Sequence, residues 1–186
     1  MKFTAVLLLF CCLFSGCTSE EKLLNQALDL RKAVIEANSC SFSAIITADY
    51  GNELYTFRMN CEADNTGMLR FIVTDPETIS GISGHISNDR AALSFDETIL
   101  AFPKIADEQL SPISAPWLFL NSLRGGYLTG YGKEEEGYCI YIDDTYEENA
   151  LHLQIYTDEA SIPIRAEFIY KDQRILSIDI KDFLLQ

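Results

Sequence analysis

Apolar and polar positions alternate along this chain with several distinct periods. Phe3 to Phe14 is a run of twelve mostly apolar residues behind Met1-Lys2, and the chain turns polar directly after Cys17, at Thr18-Ser19-Glu20-Glu21. From Leu23 to Ala37 apolar residues fall at 23/24, 27/28, 30 and 34/35, which predicts a helix with a wide apolar stripe. Glu20 and Glu21 near its start and Arg31 and Lys32 in its second half suit the helix dipole.

From Ser41 the period drops to two. Phe42, Ala44, Ile46, Ala48 and Tyr50 share one face; after Gly51-Asn52 the parity inverts, with Tyr55, Phe57 and Met59 apolar. Two alternating runs around a glycine turn predict an antiparallel hairpin. Parity puts Cys40 and Cys61 on the same apolar face. A four-residue loop, Asp49 to Asn52, makes paired positions sum to about 101 and sets Cys40 opposite Cys61, where a disulfide could form. A two-residue Gly51-Asn52 turn makes them sum to about 103 and leaves the cysteines diagonal. A Cys40–Cys61 bridge and two buried thiols both remain open.

Met68 to Thr74 predicts a third strand ending before Pro76, followed by the glycine-bearing run Ile79 to Ile86, then Ala92 to Phe95 and Ile99 to Phe102. Trp117 to Leu123 reads as a short helix, with Pro116 suited to its first turn and Gly125-Gly126 to its end. Strands follow at Tyr127–Tyr131, Tyr138–Asp143, Ala150–Thr157, Ile162–Tyr170 and Arg174–Phe183. The expected class is α+β, mostly β: about eleven antiparallel strands in a strongly curved sheet, with an N-terminal and a mid-chain helix on its concave side.

The first apolar run is too short to cross a bilayer, which takes roughly 20 residues. One basic residue, a short apolar core and small residues before a cut read as a signal peptide over residues 1–16. Ser15-Gly16-Cys17 resembles the lipobox of bacterial lipoproteins, with Phe14 where that family usually has Leu. The resemblance implies that Cys17 becomes an acylated N-terminus, followed by a short tether (residues 17–22) and one domain (residues 23–186) on the extracytoplasmic face of the membrane.

Removal of Lys2 with the signal takes the basic count from 14 to 13 against 28 acidic side chains, a net charge of −15. So acidic a chain lacks the Lys/Arg clusters that bind nucleic acid, and anionic headgroups repel it. The membrane is then held through the lipid anchor. Of six cysteines, Cys11 and Cys12 leave with the signal; with His85 and His152 far apart and no Cys-x-x-Cys, neither a metal site nor a cofactor is expected.

Candidate chemistry is sparse. Asp143-Asp144 reads as a solvated turn pair, Glu134-Glu135-Glu136 as a hairpin tip, Cys139 as a buried thiol, and His152 as an outward residue without a triad spacing. No catalytic residue is expected. A curled sheet with helices inside it can enclose an apolar space, and Phe57, Phe102, Trp117, Leu118 and Phe168 are its candidate lining.

The order of elements over Leu23 to Phe183 resembles the LolA/LolB-like half-barrel of outer-membrane lipoprotein carriers. Val73-Thr74-Asp75-Pro76 stands where carriers have a basic residue before the proline and Arg-Trp after it, so no carrier residue transfers. The resemblance implies a non-enzymatic carrier or envelope sensor that binds a lipid, an acyl chain or another apolar ligand. The alternative is a filled core whose acidic surface meets an envelope protein partner.

Overall fold

The computed structural model describes residues 18–87, 91–94, 110–135, 137–147 and 150–186. The signal, Cys17, Phe102 and the expected strand Ile99–Phe102 lie outside the described residues.

Helix α1 spans Thr18–Glu36. The expected tether is therefore helical from its second residue, because Thr18 to Lys22 contains nothing that breaks a helix and places two acidic residues at its start. Ten strands follow in a single sheet: β1 (Ser39–Asp49), β2 (Leu54–Asp64), β3 (Leu69–Asp75), β4 (Ser83–Ile86), β5 (Ala91–Ser94), β6 (Tyr127–Glu134), β7 (Gly137–Asp143), β8 (His152–Thr157), β9 (Pro163–Tyr170) and β10 (Gln173–Leu185). A 3-10 turn, Pro112–Ser114, leads into α2 (Ala115–Gly125), with Pro116 in its first turn. The described strands number ten against the expected eleven, and the run from Ile79 becomes a strand only at Ser83.

The sheet is antiparallel, in the order β5-β4-β3-β2-β1-β10-β9-β8-β7-β6. Its N- and C-terminal halves meet where β1 pairs with β10. Alternation did the folding work predicted of it: Cys40, Phe42, Ala44, Ile46 and Ala48 of β1 are buried, as are Phe57, Met59, Cys61 and Ala63 of β2. Their register is the one summing to 103, with Phe42 opposite Cys61 and Cys40 opposite Ala63. The hairpin closes through Tyr50 N–H donating to Glu53 O at 3.0 Å and Gly51 N–H to Asp49 Oδ1 at 2.7 Å. Cys40 and Cys61 thus sit diagonally, and both are free, buried thiols. The disulfide alternative is corrected to the buried-thiol one.

One departure from alternation shapes the rest. Along β10, Leu176, Ile178 and Ile180 point into the core. The pairing with β1 then shifts between Ser43↔Lys181 and Ser41↔Leu184, so Asp182 and Phe183 together oppose Phe42. Asp182 takes the left-handed conformation (φ 54°), as one residue of a β-bulge often does. The extra residue flips parity: Phe183 turns inward and Leu184 outward.

Both helices bury one face in the same core as the sheet, α1 through Ala27, Leu30 and Val34 and α2 through Phe119, Leu120 and Leu123. The Phe42, Phe119 and Phe183 rings meet there, with centroids 5.9 to 6.3 Å apart. Arg31 clamps the helices together, donating from Nη2 to Gly126 O at 2.8 Å and to Ser122 O at 3.4 Å, where the C-terminal end of α2 favours a cation.

Candidate functional site

An open, mainly apolar cavity lies beside α1. It is a groove of about 420 Å³ between Gln26, Asp29, Leu30 and Ala33 of α1, the β8–β9 turn at Ala160–Pro163, and Phe183–Leu185 of β10. Each wall has a local cause. Residues 26, 29, 30 and 33 are neighbours on one side of a 3.6-residue helix. The turn is pinned by Asp158, whose Oδ1 accepts from Ile162 N–H at 2.8 Å and whose N–H donates to Ile162 O at 2.9 Å. Ser161 at its apex has φ 67°. The bulge at Asp182 delivers Phe183 to the groove's inner side, where its ring also packs on Phe42 and Phe119. Leu30, Ala33, Ile162, Pro163, Phe183 and Leu185 make the surface mainly hydrocarbon, and Gln26, Asp29 and Ser161 supply polar groups.

A second cleft, about 440 Å³, adjoins it along the same helix and shares Gln26. Its character is opposite: Glu134, Glu135, Asp158 and Glu159 line it with Lys22 and Lys133. The Tyr138 hydroxyl donates to Gln26 O at 3.1 Å at the residue common to both. The strand start behind it tolerates only glycine at 137, because a Cβ there would lie 2.1 Å from Thr157 O. Thr157 in turn accepts from Tyr138 N–H at 3.3 Å and donates to Tyr138 O at 3.1 Å.

Among the described residues, the space beside Trp117 is small. The space framed by Trp117, Leu120, Ala63, Leu69 and Arg124 measures about 10 Å³, too little for any ligand. The Trp117 indole N–H donates to Gly67 O at 3.0 Å and Arg124 to Asp64 O at 3.0 Å, which fasten α2 onto the β2–β3 turn. Phe57 and Phe168 are buried members of the core, and Trp117 and Leu118 pack against it half-buried. These four residues pack in or against the core of the described residues.

The outward face holds one pair that the sequence reading missed. β7 and β8 set Asp143 opposite His152, and His152 Nδ1 lies 2.6 Å from Asp143 Oδ1. The nine-residue separation across a turn hides the pair in the sequence. Among the described residues no hydroxyl or thiol is hydrogen-bonded to the imidazole. Cys139 is fully buried, and burial pushes its thiol up to about 12, so it is a poor nucleophile. No group of three or more metal-binding side chains occurs among the described residues.

No protein-family model matches the chain. No curated protein matches it by sequence. Solved structures do match in chain path. One is a LolA superfamily protein from Nitrosomonas europaea, 9% identical, with 86% of this chain and 93% of that chain covered and a TM-score of 0.44. Another is LprF from Mycobacterium bovis, 10% identical, covering 88% and 93%, with a TM-score of 0.43. A third is MucB of Pseudomonas aeruginosa in a complex with MucA, 14% identical, covering 88% of this chain and 56% of that one, at 0.40. The chain's structural neighbours thus include LolA superfamily proteins, at identities that carry no residue role across.

Proposed function

We propose that this chain is an extracytoplasmic binding protein, anchored through an acylated Cys17, which holds an acyl chain or similar apolar group in the open groove beside α1. The observation that carries the reading is the groove itself: a hydrocarbon-lined channel of about 420 Å³ with polar groups at its rim. Nothing in the outward His152–Asp143 pair adds a nucleophile, and the role proposed is binding without catalysis.

The test uses the soluble chain from Thr18 onward and a dansyl-labelled fatty acid. The probe should bind, and Ala33→Glu, at an exposed groove position, should weaken it at least tenfold while the fold is retained. Absent binding, or equal binding by both proteins, would refute the groove.

A second reading is favoured by the filled space of about 10 Å³ under Trp117. In it the domain is an interaction module without a small ligand, and its acidic surface meets an envelope protein. Native mass spectrometry of the detergent-free chain separates the two: co-purifying lipid supports the first, and a clean apo mass supports the second.

A further inference from the structure

The groove and the acidic cleft lie end to end along α1. The helix supplies Lys22, Leu23 and Gln26 to the cleft and Gln26, Asp29, Leu30 and Ala33 to the groove. At 100° per residue, positions 22, 26, 29 and 33 fall within about 60° of one another, so this wall is one stripe about 17 Å long. The opposite wall is equally continuous: Asp158 and Glu159 border the cleft, and Ala160 to Pro163 border the groove. Both walls change character at the same level. On one side of Gln26, hydrocarbon from Leu30, Ala33, Ile162, Pro163 and Phe183 dominates; on the other, carboxylates do. Tyr138, which also lines the cleft, fixes the boundary through its hydroxyl bond to Gln26 O.

The charge at this boundary has one sign. In the cleft, Glu134, Glu135, Asp158 and Glu159 outnumber Lys22 and Lys133. Asp29 is the one ionisable side chain among the residues lining the groove. Among the described residues no salt bridge engages any of these five carboxylates. Their field is therefore open to a ligand, and a cleft lined mostly by one sign concentrates it. An anionic head at this end of the groove meets like charge. A cationic head gains charge-assisted contacts.

We propose that the groove takes a single-chain amphiphile with a cationic head. Its chain lies against Leu30, Ala33, Ile162 and Phe183, and its head reaches Asp29 and the carboxylates beyond Gln26. The inference rests on the groove reading above and specifies the ligand of that site. A fatty acid still enters by its chain, but of two ligands with the same chain the cationic one is held tighter. Asp29 and Glu159 set that preference, one on each wall.

The test uses the full chain reconstituted in phosphatidylcholine nanodiscs, with dodecylamine and dodecanoic acid that each carry a mid-chain diazirine. Photolysis and peptide mass spectrometry locate the adducts, and half-saturation is read for each probe. The amine should half-saturate the groove segments at a concentration at least tenfold below the acid. In Asp29→Asn/Glu159→Gln, both exposed positions, that ratio should fall below threefold, while the acid still labels the groove; comparing the ratio between proteins cancels partition into the lipid. Glu77→Gln, an exposed position in the β3–β4 connection, three strands from β10, removes a carboxylate elsewhere and should leave the ratio unchanged. Equal labelling by both probes, or an equal fall in Glu77→Gln, overturns the head-group preference and leaves the groove standing. Groove segments unlabelled by either probe overturn the groove and the inference together.

Discussion

The bulge in β10 can be tested at two adjacent residues. Uninterrupted alternation from Leu176, Ile178 and Ile180 would send Leu184 inward and Phe183 outward. The structure has the opposite: Phe183 is 9% exposed and Leu184 is 56% exposed. Phe→Ala in a core costs about 3–5 kcal/mol. The void left by Phe183 would open onto the groove and admit water, so the lower end, about 3 kcal/mol, applies. That figure includes two ring contacts, with Phe42 at 5.9 Å and Phe119 at 6.3 Å, each worth about 0.5–1.5 kcal/mol. Leu184→Ala removes exposed surface and should stay within about 0.5 kcal/mol. With a urea m-value near 2 kcal/mol/M, Phe183→Ala lowers the midpoint of the soluble domain by about 1.5 M, and Leu184→Ala by about 0.25 M or less. Equal shifts, or a larger one for Leu184→Ala, would refute the bulge and with it the floor of the groove. An altered m-value would show that the variant no longer unfolds from the same native state.

Other expectations follow from single contacts. Gly137→Ala puts a Cβ against backbone oxygens of Thr157 and Asp158, which cannot yield as a flexible side chain would; a loss of about 3 kcal/mol or failure to fold is expected by thermal melting. Trp117→Phe keeps the ring but loses the bond to Gly67 O, so a loss of about 1–2 kcal/mol in urea unfolding is expected, with no gain in ligand capacity. Ellman's reagent at pH 8 should find no reactive thiol in the folded soluble domain and three after denaturation, with no change in Tm on adding reductant. Burial raises the Cys40 thiol to about 12 and raises Cys61 as well, from an ordinary value of about 9.0. Because the unfolded thiols ionise first, their stabilisation is complete below about pH 9 and drains as pH rises toward 12. The slope approaches about 1.4 kcal/mol per pH unit per thiol. Urea midpoints at pH 8 and pH 10 should show it, and Cys61→Ala should reduce it without abolishing it, because Cys40 and Cys139 remain.

The elements were legible wherever burial imposed one period. β1 and β2 read directly, because a slip of one residue would turn Phe42, Ala44 and Ile46 out of the core. Their pairing was narrowed to two registers and no further, since both keep the same faces matched; the tight turn at Gly51-Asn52 decided for the one that separates the cysteines. The helical start at Thr18 was hidden because Thr18 to Lys22 has no apolar period to read. The groove was hidden for a different reason. Its walls come from residues 26–33, 160–163 and 183–185, brought together by tertiary packing, and one wall depends on a bulge that breaks the pattern on which a sequence reading relies. The space beneath Trp117 was unreadable in principle: an empty pocket and a packed core use the same aromatic and aliphatic residues, and only their summed volume tells them apart.

α1 gathers these results, because 100° per residue divides it into three separable faces. Ala27, Leu30 and Val34 are buried in the core. Gln26, Asp29 and Ala33 turn to the groove. Leu24, Leu28 and Ile35 turn the other way, toward the side where Arg31 meets the end of α2. A helix that only packed would need the first face alone, and its remaining positions would be free to be polar. The consequence is separability: a substitution at Val34 should cost stability, and one at Ala33 should cost ligand binding while the fold is retained. If both altered stability alone, α1 would be a packing helix and the groove proposal would fall.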